Sequence, residues 1–366
     1  MNLAFDAKRW QTVRETYGKW WAGELERPLI QITFGGRQPS ARKPDIPYYH
    51  FDTFYDLAVP AEKIVDWWAY NLETQEFSPD AFPHAIPYFG PGSAAAYMGA
   101  QVHSTPETGT TWFKPAALLE PDRLHLRHQD GNPWHRRTAE LYTAARRRFQ
   151  GQVQLDMTDL GGNLDLLATF RPNEHLLYDL YDHPAEVKRL TWEAHEQWWR
   201  YFEEFTRLAG PENPGFTAWT PIYSATPYYM LQCDFAYMIG PQMFDEFVKP
   251  ELAACCRRLD HAFYHLDGPG QLPHLDSLLS IPELKGIQWV PGDGQPDITQ
   301  WPDVYRRIHR AGKRIQMFDS QAGGGLKALD IIADQIGSAR GIILIGGAPL
   351  AEKDSVLAFL TKYGAA

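Results

Sequence analysis

Four short runs, Ala262-Phe263-Tyr264-His265-Leu266, Gly286-Ile287-Gln288-Trp289-Val290, Lys313-Arg314-Ile315-Gln316-Met317-Phe318 and Gly341-Ile342-Ile343-Leu344-Ile345, decide the fold. Each is apolar or β-branched, and segments with helical spacing lie between them, at 272–280, 302–311 and 325–337. Strand and helix alternating at intervals of about 20 to 40 residues is the rhythm of a parallel sheet. Working outward, Pro28-Leu29-Ile30-Gln31-Ile32-Thr33-Phe34, Gln152-Val153-Gln154-Leu155-Asp156-Met157 and Phe216-Thr217-Ala218-Trp219 have the same character. Residues 184–209 read as a long helix, with Asp182 or His183 as N-cap before Pro184 and a stop at Gly210-Pro211. A second long helix is expected from Pro241 to about Leu259.

A (β/α)8 barrel takes about 250 residues and tolerates long insertions, so 366 residues suit an α/β TIM barrel with N-terminal helical and loop additions. The chain is read as one domain, with an N-terminal extension over about 1–60 and the barrel over about 61–366. An open, doubly wound sheet would carry a phosphate-binding fingerprint. Gly323-Gly324-Gly325 and Gly346-Gly347 match neither G-x-G-x-x-G nor the P-loop pattern. No 20 to 50 residue period repeats, which removes solenoids and propellers. The Pro-rich stretch from Pro39 to Pro60, with Tyr48, Tyr49, Phe51, Phe54 and Tyr55, is expected as an extended surface loop.

Charge narrows the function. The 35 Lys and Arg stand against 45 Asp and Glu, a net −10, and a nucleic-acid binder needs a basic patch that releases counterions. The one dense basic run, Arg146-Arg147-Arg148 beside Arg136 and Arg137, reads as a solvated helix face. Three cysteines, two of them adjacent (Cys255, Cys256), make no disulfide framework and point to a reducing compartment. No apolar run approaches the roughly 18 residues of a bilayer span, and the N-terminus lacks a signal core. A cytoplasmic protein without membrane partners is therefore expected. The 13 Trp, 18 Tyr and 19 Phe mean either a well-filled core or a pocket that grips a ring. Trp20-Trp21, Trp67-Trp68 and Trp198-Trp199 are core faces or contacts of a homo-oligomer.

Barrel enzymes take their functional groups from the residues after each strand. Here those residues are carboxylates, amides and aromatics, with one histidine and almost no cation. His265 and Asp267 are two apart at a strand end and share a face, and Gly268 lets the backbone pass close to a ligand. They can act as general acid and base, bind a metal, or bond each other. Asp267, Asp234 and His265 are the candidate catalytic residues. Asp159, Asn163, Trp219, Tyr223, Gln288, Trp289, Asp293 and Asp319 are the candidate substrate-binding residues. A lining without Arg or Lys clamps suits a small, uncharged, hydroxyl-rich, sugar-like substrate, and paired carboxylates support glycosidic bond cleavage. No metal or other cofactor is required by this reading. The alternative is a zinc site on His265, Asp267 and Cys233, although no H-x-x-x-H or C-x-x-C pair reinforces it.

The segments Gly162 to Pro184, Cys233 to Pro250 with its I-x-P-x-x-F-x-x-F-x-x-P block, and Tyr264-His265-Leu266-Asp267-Gly268 resemble the uroporphyrinogen decarboxylase-like superfamily. That superfamily also contains methyltransferases acting between corrinoid proteins and thiols. The resemblance spans about residues 60 to 350 and implies a (β/α)8 barrel with its site at the C-terminal mouth. Two departures separate this chain from the family's activities. Pro87-Tyr88-Phe89-Gly90-Pro91-Gly92 stands where the decarboxylases have an Asp after the first barrel strand, and His265-x-Asp267 stands where the zinc methyltransferases have His-x-Cys. The expected activity is thus glycoside hydrolysis. The alternatives are methyl transfer through His265 and Asp267, and a barrel that binds carbohydrate without catalysis.

Overall fold

The computed structural model describes every residue except Thr108 and Asn173. Eleven strands are formed among the described residues: β1 (Leu29–Gly35), β2 (Gln75–Phe77), β3 (His84–Ala85), β4 (Gln101–Thr105), β5 (Thr110–Lys114), β6 (Gln154–Leu155), β7 (Tyr228–Gln232), β8 (His261–Asp267), β9 (Leu284–Val290), β10 (Arg314–Phe318) and β11 (Ile342–Pro349). Seven of them make a central sheet in the order β2-β1-β11-β10-β9-β8-β7, parallel except for the antiparallel edge strand β2. Strands β3 and β6 form a separate parallel pair, and β4 and β5 a hairpin. The molecule is thus mixed α/β with a large, mainly parallel sheet whose ladder is open between β2 and β7. No helix among the described residues is long and apolar enough to cross a membrane.

The four runs that set the expectation all become strands, and the intervening segments become the helices Leu275–Leu279, Pro302–Arg310 and Lys327–Ile336. The long helix runs Pro184–Ala209, with His183 at its N-cap and Pro184 in its first turn. The second is interrupted: Phe244–Val248 widens into a π-turn before Lys249–Arg258. Pro250 has no N–H to return to the carbonyl of Glu246, which explains the break. Two expectations need correction. Phe216–Trp219 does not join the sheet and keeps a single bridge, Phe216 to Ser224. The sheet begins before residue 60, because β1 lies between β11 and β2. The Pro-rich segment is only partly a surface loop, since Phe51 and Tyr55 are buried in it.

The helix Ala7–Ala22 closes the end of the sheet at which the parallel strands begin. Asp6 caps it by accepting from the Arg9 N–H at 2.8 Å, and Gly23 ends it at φ 75°. Trp10, Val13, Tyr17 and Trp20 recur at helical spacing and are buried. Their rings meet Phe82, Tyr223 and Phe263, with Trp20 stacked on Phe263 at 6.2 Å. Tyr17 donates to Gln31 of β1 at 2.6 Å. Close approach also governs the sheet interior: a Cβ on Gly286 would lie 2.2 Å from the Phe263 ring on the next strand, so only glycine fits there. The Trp20-Trp21, Trp67-Trp68 and Trp198-Trp199 pairs each bury at least one ring, and both rings of the last.

A candidate active site at the ends of β7 and β8

Asp234, His265 and Asp267 come together where β7 and β8 end, with one ligand-capable atom from each lying within 4.8 Å of the others. The reason is local. His265 and Asp267 are alternate residues of β8 and project to one face, and His265 is in register with Gln232 of β7 and Gln288 of β9. Asp234 follows β7 at once, in the short 3-10 turn Asp234–Met238. The Gln288 side-chain oxygen accepts from His265 Nδ1. That contact puts the imidazole N–H on Nδ1 and leaves Nε2 toward Asp267, 3.9 Å from Oδ2. Trp219 stands edge-on to the imidazole at 5.2 Å, and its Nε1 donates to the Met230 carbonyl at 3.3 Å.

A cavity of about 480 Å³ opens beside this group, lined by Asp165, Asp234 and Gln232, by Trp112 and Phe113 of the β4–β5 hairpin, and by Met238. No Lys or Arg is among its lining residues. Asp165 sits in the first turn of the helix Asn163–Phe170 and accepts from the Asp234 and Phe235 N–H groups, each at 2.8 Å. It thereby holds the turn that carries Asp234. Gly161 makes this possible, at φ 67° and so close to Gly92 that a Cβ would lie 2.7 Å from that Cα.

Crowded carboxylates cannot all ionise cheaply. Burial, then the charge of Asp234, pushes Asp165 up to about 8 against its two N–H donors. Burial pushes Asp159 up to about 7, opposed by the Gly161 and Gly92 N–H groups. Asp234 is also raised, first by burial; His265 opposes the shift and Asp267 adds to it. Asp234 is open to solvent yet ringed by protein, as a side chain on a cavity wall is. Such a site holds protons near neutral pH, as general acid catalysis requires.

Of the sequence candidates, Asp234, His265, Asp267, Gln288 and Trp219 form one site, and Asp159 lies behind it. Asp159 is buried and accepts from Gly161 at 2.9 Å and Gly92 at 3.4 Å, which makes it a loop-holding group. Asp319 bridges two strand ends, accepting from the Gly347 N–H at 3.2 Å. Asp293 is exposed in the loop after β9. Four assignments are corrected. Asn163 turns away from the cavity, donating to the Val248 carbonyl at 3.0 Å and to Glu251 at 2.6 Å. Tyr223 lies against Trp10 and Tyr17 beneath the sheet. Trp289 is on the opposite face from Gln288, packed 5.1 Å from Trp301. Cys233 is buried, which drives its thiol well up, and the third group beside His265 and Asp267 is Asp234 instead.

Sequence reasoning missed Asp165 as a site residue, the hairpin, and a second dyad. His84 of β3 bonds Asp156 through Nδ1 at 2.6 Å, and Thr217 donates to the same carboxylate. Asp156 keeps His84 raised against burial. His84, Ile86 and Tyr88 alternate with buried neighbours in the structure, but β3 has only two residues and leaves no period in the sequence. No protein-family model matches the chain, and no curated protein matches it either.

Proposed function

We propose that the chain is a divergent member of the uroporphyrinogen decarboxylase-like superfamily that hydrolyses a glycosidic bond in a small, uncharged, hydroxyl-rich substrate. The barrel reading is supported by a count: with β3 and β6, eight strands run in parallel pairs among the described residues. The Asp156 N–H to the Ala85 carbonyl extends the β3–β6 pair by one residue, and the Met157 N–H to the Thr217 carbonyl ties its β6 side to the Phe216–Trp219 segment.

The observation that carries the activity is the Asp234 and Asp267 pair, with oxygens within 4.8 Å, beside a cavity without cations. Asp234, held raised, is the proton donor to the leaving oxygen, and Asp267 is the carboxylate that attacks the anomeric carbon. His265, oriented by Gln288, faces Asp267 through Nε2. Carboxyl groups about 5 to 5.5 Å apart retain anomeric configuration, whereas inverting pairs stand about 6.5 to 9.5 Å apart. The close pairing therefore predicts retention. A panel of aryl glycosides, with product configuration followed by NMR, tests this. Asp267→Asn should abolish turnover and Asp234→Asn should slow substrates with poor leaving groups most. Activity surviving both substitutions removes the assignment.

A second reading rests on the same three side chains. The free Nε2 of His265 and the two carboxylates converge closely enough to hold a divalent metal ion, which would support metal-assisted methyl transfer. An ion bound stoichiometrically and released by His265→Ala favours it over the metal-free hydrolase.

A further inference from the structure

A second cluster lies apart from the mouth, between the helices Pro184–Ala209 and Lys249–Arg258. His195 Nδ1 is 2.8 Å from Glu251 Oε1, Cys255 Sγ is 3.0 Å from the same oxygen, and Sγ and Nδ1 are 3.6 Å apart. All three residues are buried. Glu251 and Cys255 are four apart on one helix and so share its face, while His195 reaches them from the facing helix. We propose that these three side chains form a binding site for a zinc-class divalent transition-metal ion.

Three observations carry this. The first is geometric. A circle through the three atoms has a radius of about 1.9 Å, so an ion about 1 Å off their plane lies ~2.1 Å from each, close to zinc's usual distances to nitrogen, oxygen and sulfur. The second is room. A cavity of about 10 Å³, the size of one water or one ion, is bounded by His195, Glu251, Cys255, Asn163, Gln232 and Trp198. The third is charge. Glu251 is buried, and among the described residues it has no Lys or Arg partner; its ion-pair partner is His195. A buried carboxylate needs compensation, and a dication facing one carboxylate and one thiolate is neutral overall. Asn163 buttresses the site from the third side, donating to Glu251 Oε2 at 2.6 Å from a left-handed backbone at φ 48°.

Loading exchanges the Cys255 thiol proton for the ion and moves the His195 proton to Nε2, so affinity falls as pH falls. Three donors leave a fourth position for solvent, and Gln232 stands between this pocket and the mouth cavity, which it also lines. The site shares no ligand with Asp234, His265 and Asp267, so it stands or falls independently of the proposed reaction.

The test uses the full chain, stripped with chelator and titrated with cobalt(II). A thiolate-to-cobalt charge-transfer band at one equivalent is expected, because among the described residues no other candidate ligand set includes a thiol. Zinc content measured in parallel should be one per chain, kept in His265→Ala and lost in Cys255→Ser and His195→Ala. Cys255→Ser conserves volume, and the wild-type spectrum needs no variant at all. The proposal is overturned if wild type binds no ion at micromolar zinc, leaving a buried water only. It is equally overturned if the ion is retained in Cys255→Ser and lost in His265→Ala.

Discussion

Replacing Asp165 with asparagine should change how stability depends on pH. Folded Asp165 keeps its proton up to about pH 8, whereas an ordinary aspartate releases it near 3.8. Between those values the folded chain binds the extra proton, so this group's contribution to stability falls as pH rises and is constant below the window. One proton gives a slope of ~1.4 kcal/mol per pH unit. From pH 5 to 7 that is at most about 3 kcal/mol, a ceiling because Asp234 shares the titration. Asparagine offers one acceptor oxygen where Asp165 uses both, so Asp165→Asn should lose one N–H bond at every pH but not undergo the pH-dependent fall, and the difference between the two proteins should move in the variant's favour from pH 4 to 8. Urea midpoints from pH 4 to 9 on both proteins measure the difference directly. Asp159 and Asp52, also raised by burial, are present in both and largely cancel. Parallel curves across that range would refute the reasoning that Asp165 is a protonated carboxyl at neutral pH.

Three further outcomes follow from the packing. Asp156→Asn removes what raises His84, so the His84 ring protons should titrate at lower pH in NMR. The stabilisation from that ion pair is lost as pH rises through the His84 value, and on acidification too, because burial makes Asp156 take up its own proton more readily; it should disappear in the variant as well, and an unchanged titration contradicts the pairing. Gly286→Ala puts a Cβ 2.2 Å from the Phe263 ring and should cost about 1–3 kcal/mol, visible as a lower urea midpoint. Trp20→Ala empties the stack on Phe263 and should cost about 3–5 kcal/mol, with tryptophan emission reporting the loss.

Strands β8 to β11 were legible because each is a continuous apolar run bounded by turn residues. β7 was not, since Pro227 immediately precedes Tyr228-Tyr229-Met230-Leu231-Gln232 and masks its start. β3 and β6, two residues each, are too short to leave a period. At the site, His265 and Asp267 could be paired from alternation alone. The same rule condemns Trp289, because one step along a strand reverses the face. Asn163 was misread for a different reason: its left-handed backbone aims the side chain back toward Glu251, a reversal that composition does not encode. Asp165 and the hairpin residues Trp112 and Phe113 reach the cavity only through tertiary folding, from segments far from β8 in the chain.

The position of β1 has a consequence for how the chain is made. β1 is translated long before its parallel partner β11, with Leu29 opposite Ile343. The helix before it is tied to late residues too, with Arg314 donating to the Trp20 carbonyl at 2.9 Å and Arg340 to that of Gly23 at 2.7 Å. Until β11 has been translated, Leu29, Ile30 and Ile32 have one side of their strand unpaired, and the aromatic face of Ala7–Ala22 lacks part of its covering. β1 therefore cannot reach its final surroundings before β11 has been translated. A product truncated before β11 would leave the β11-facing edge of β1 unpaired and open to aggregation.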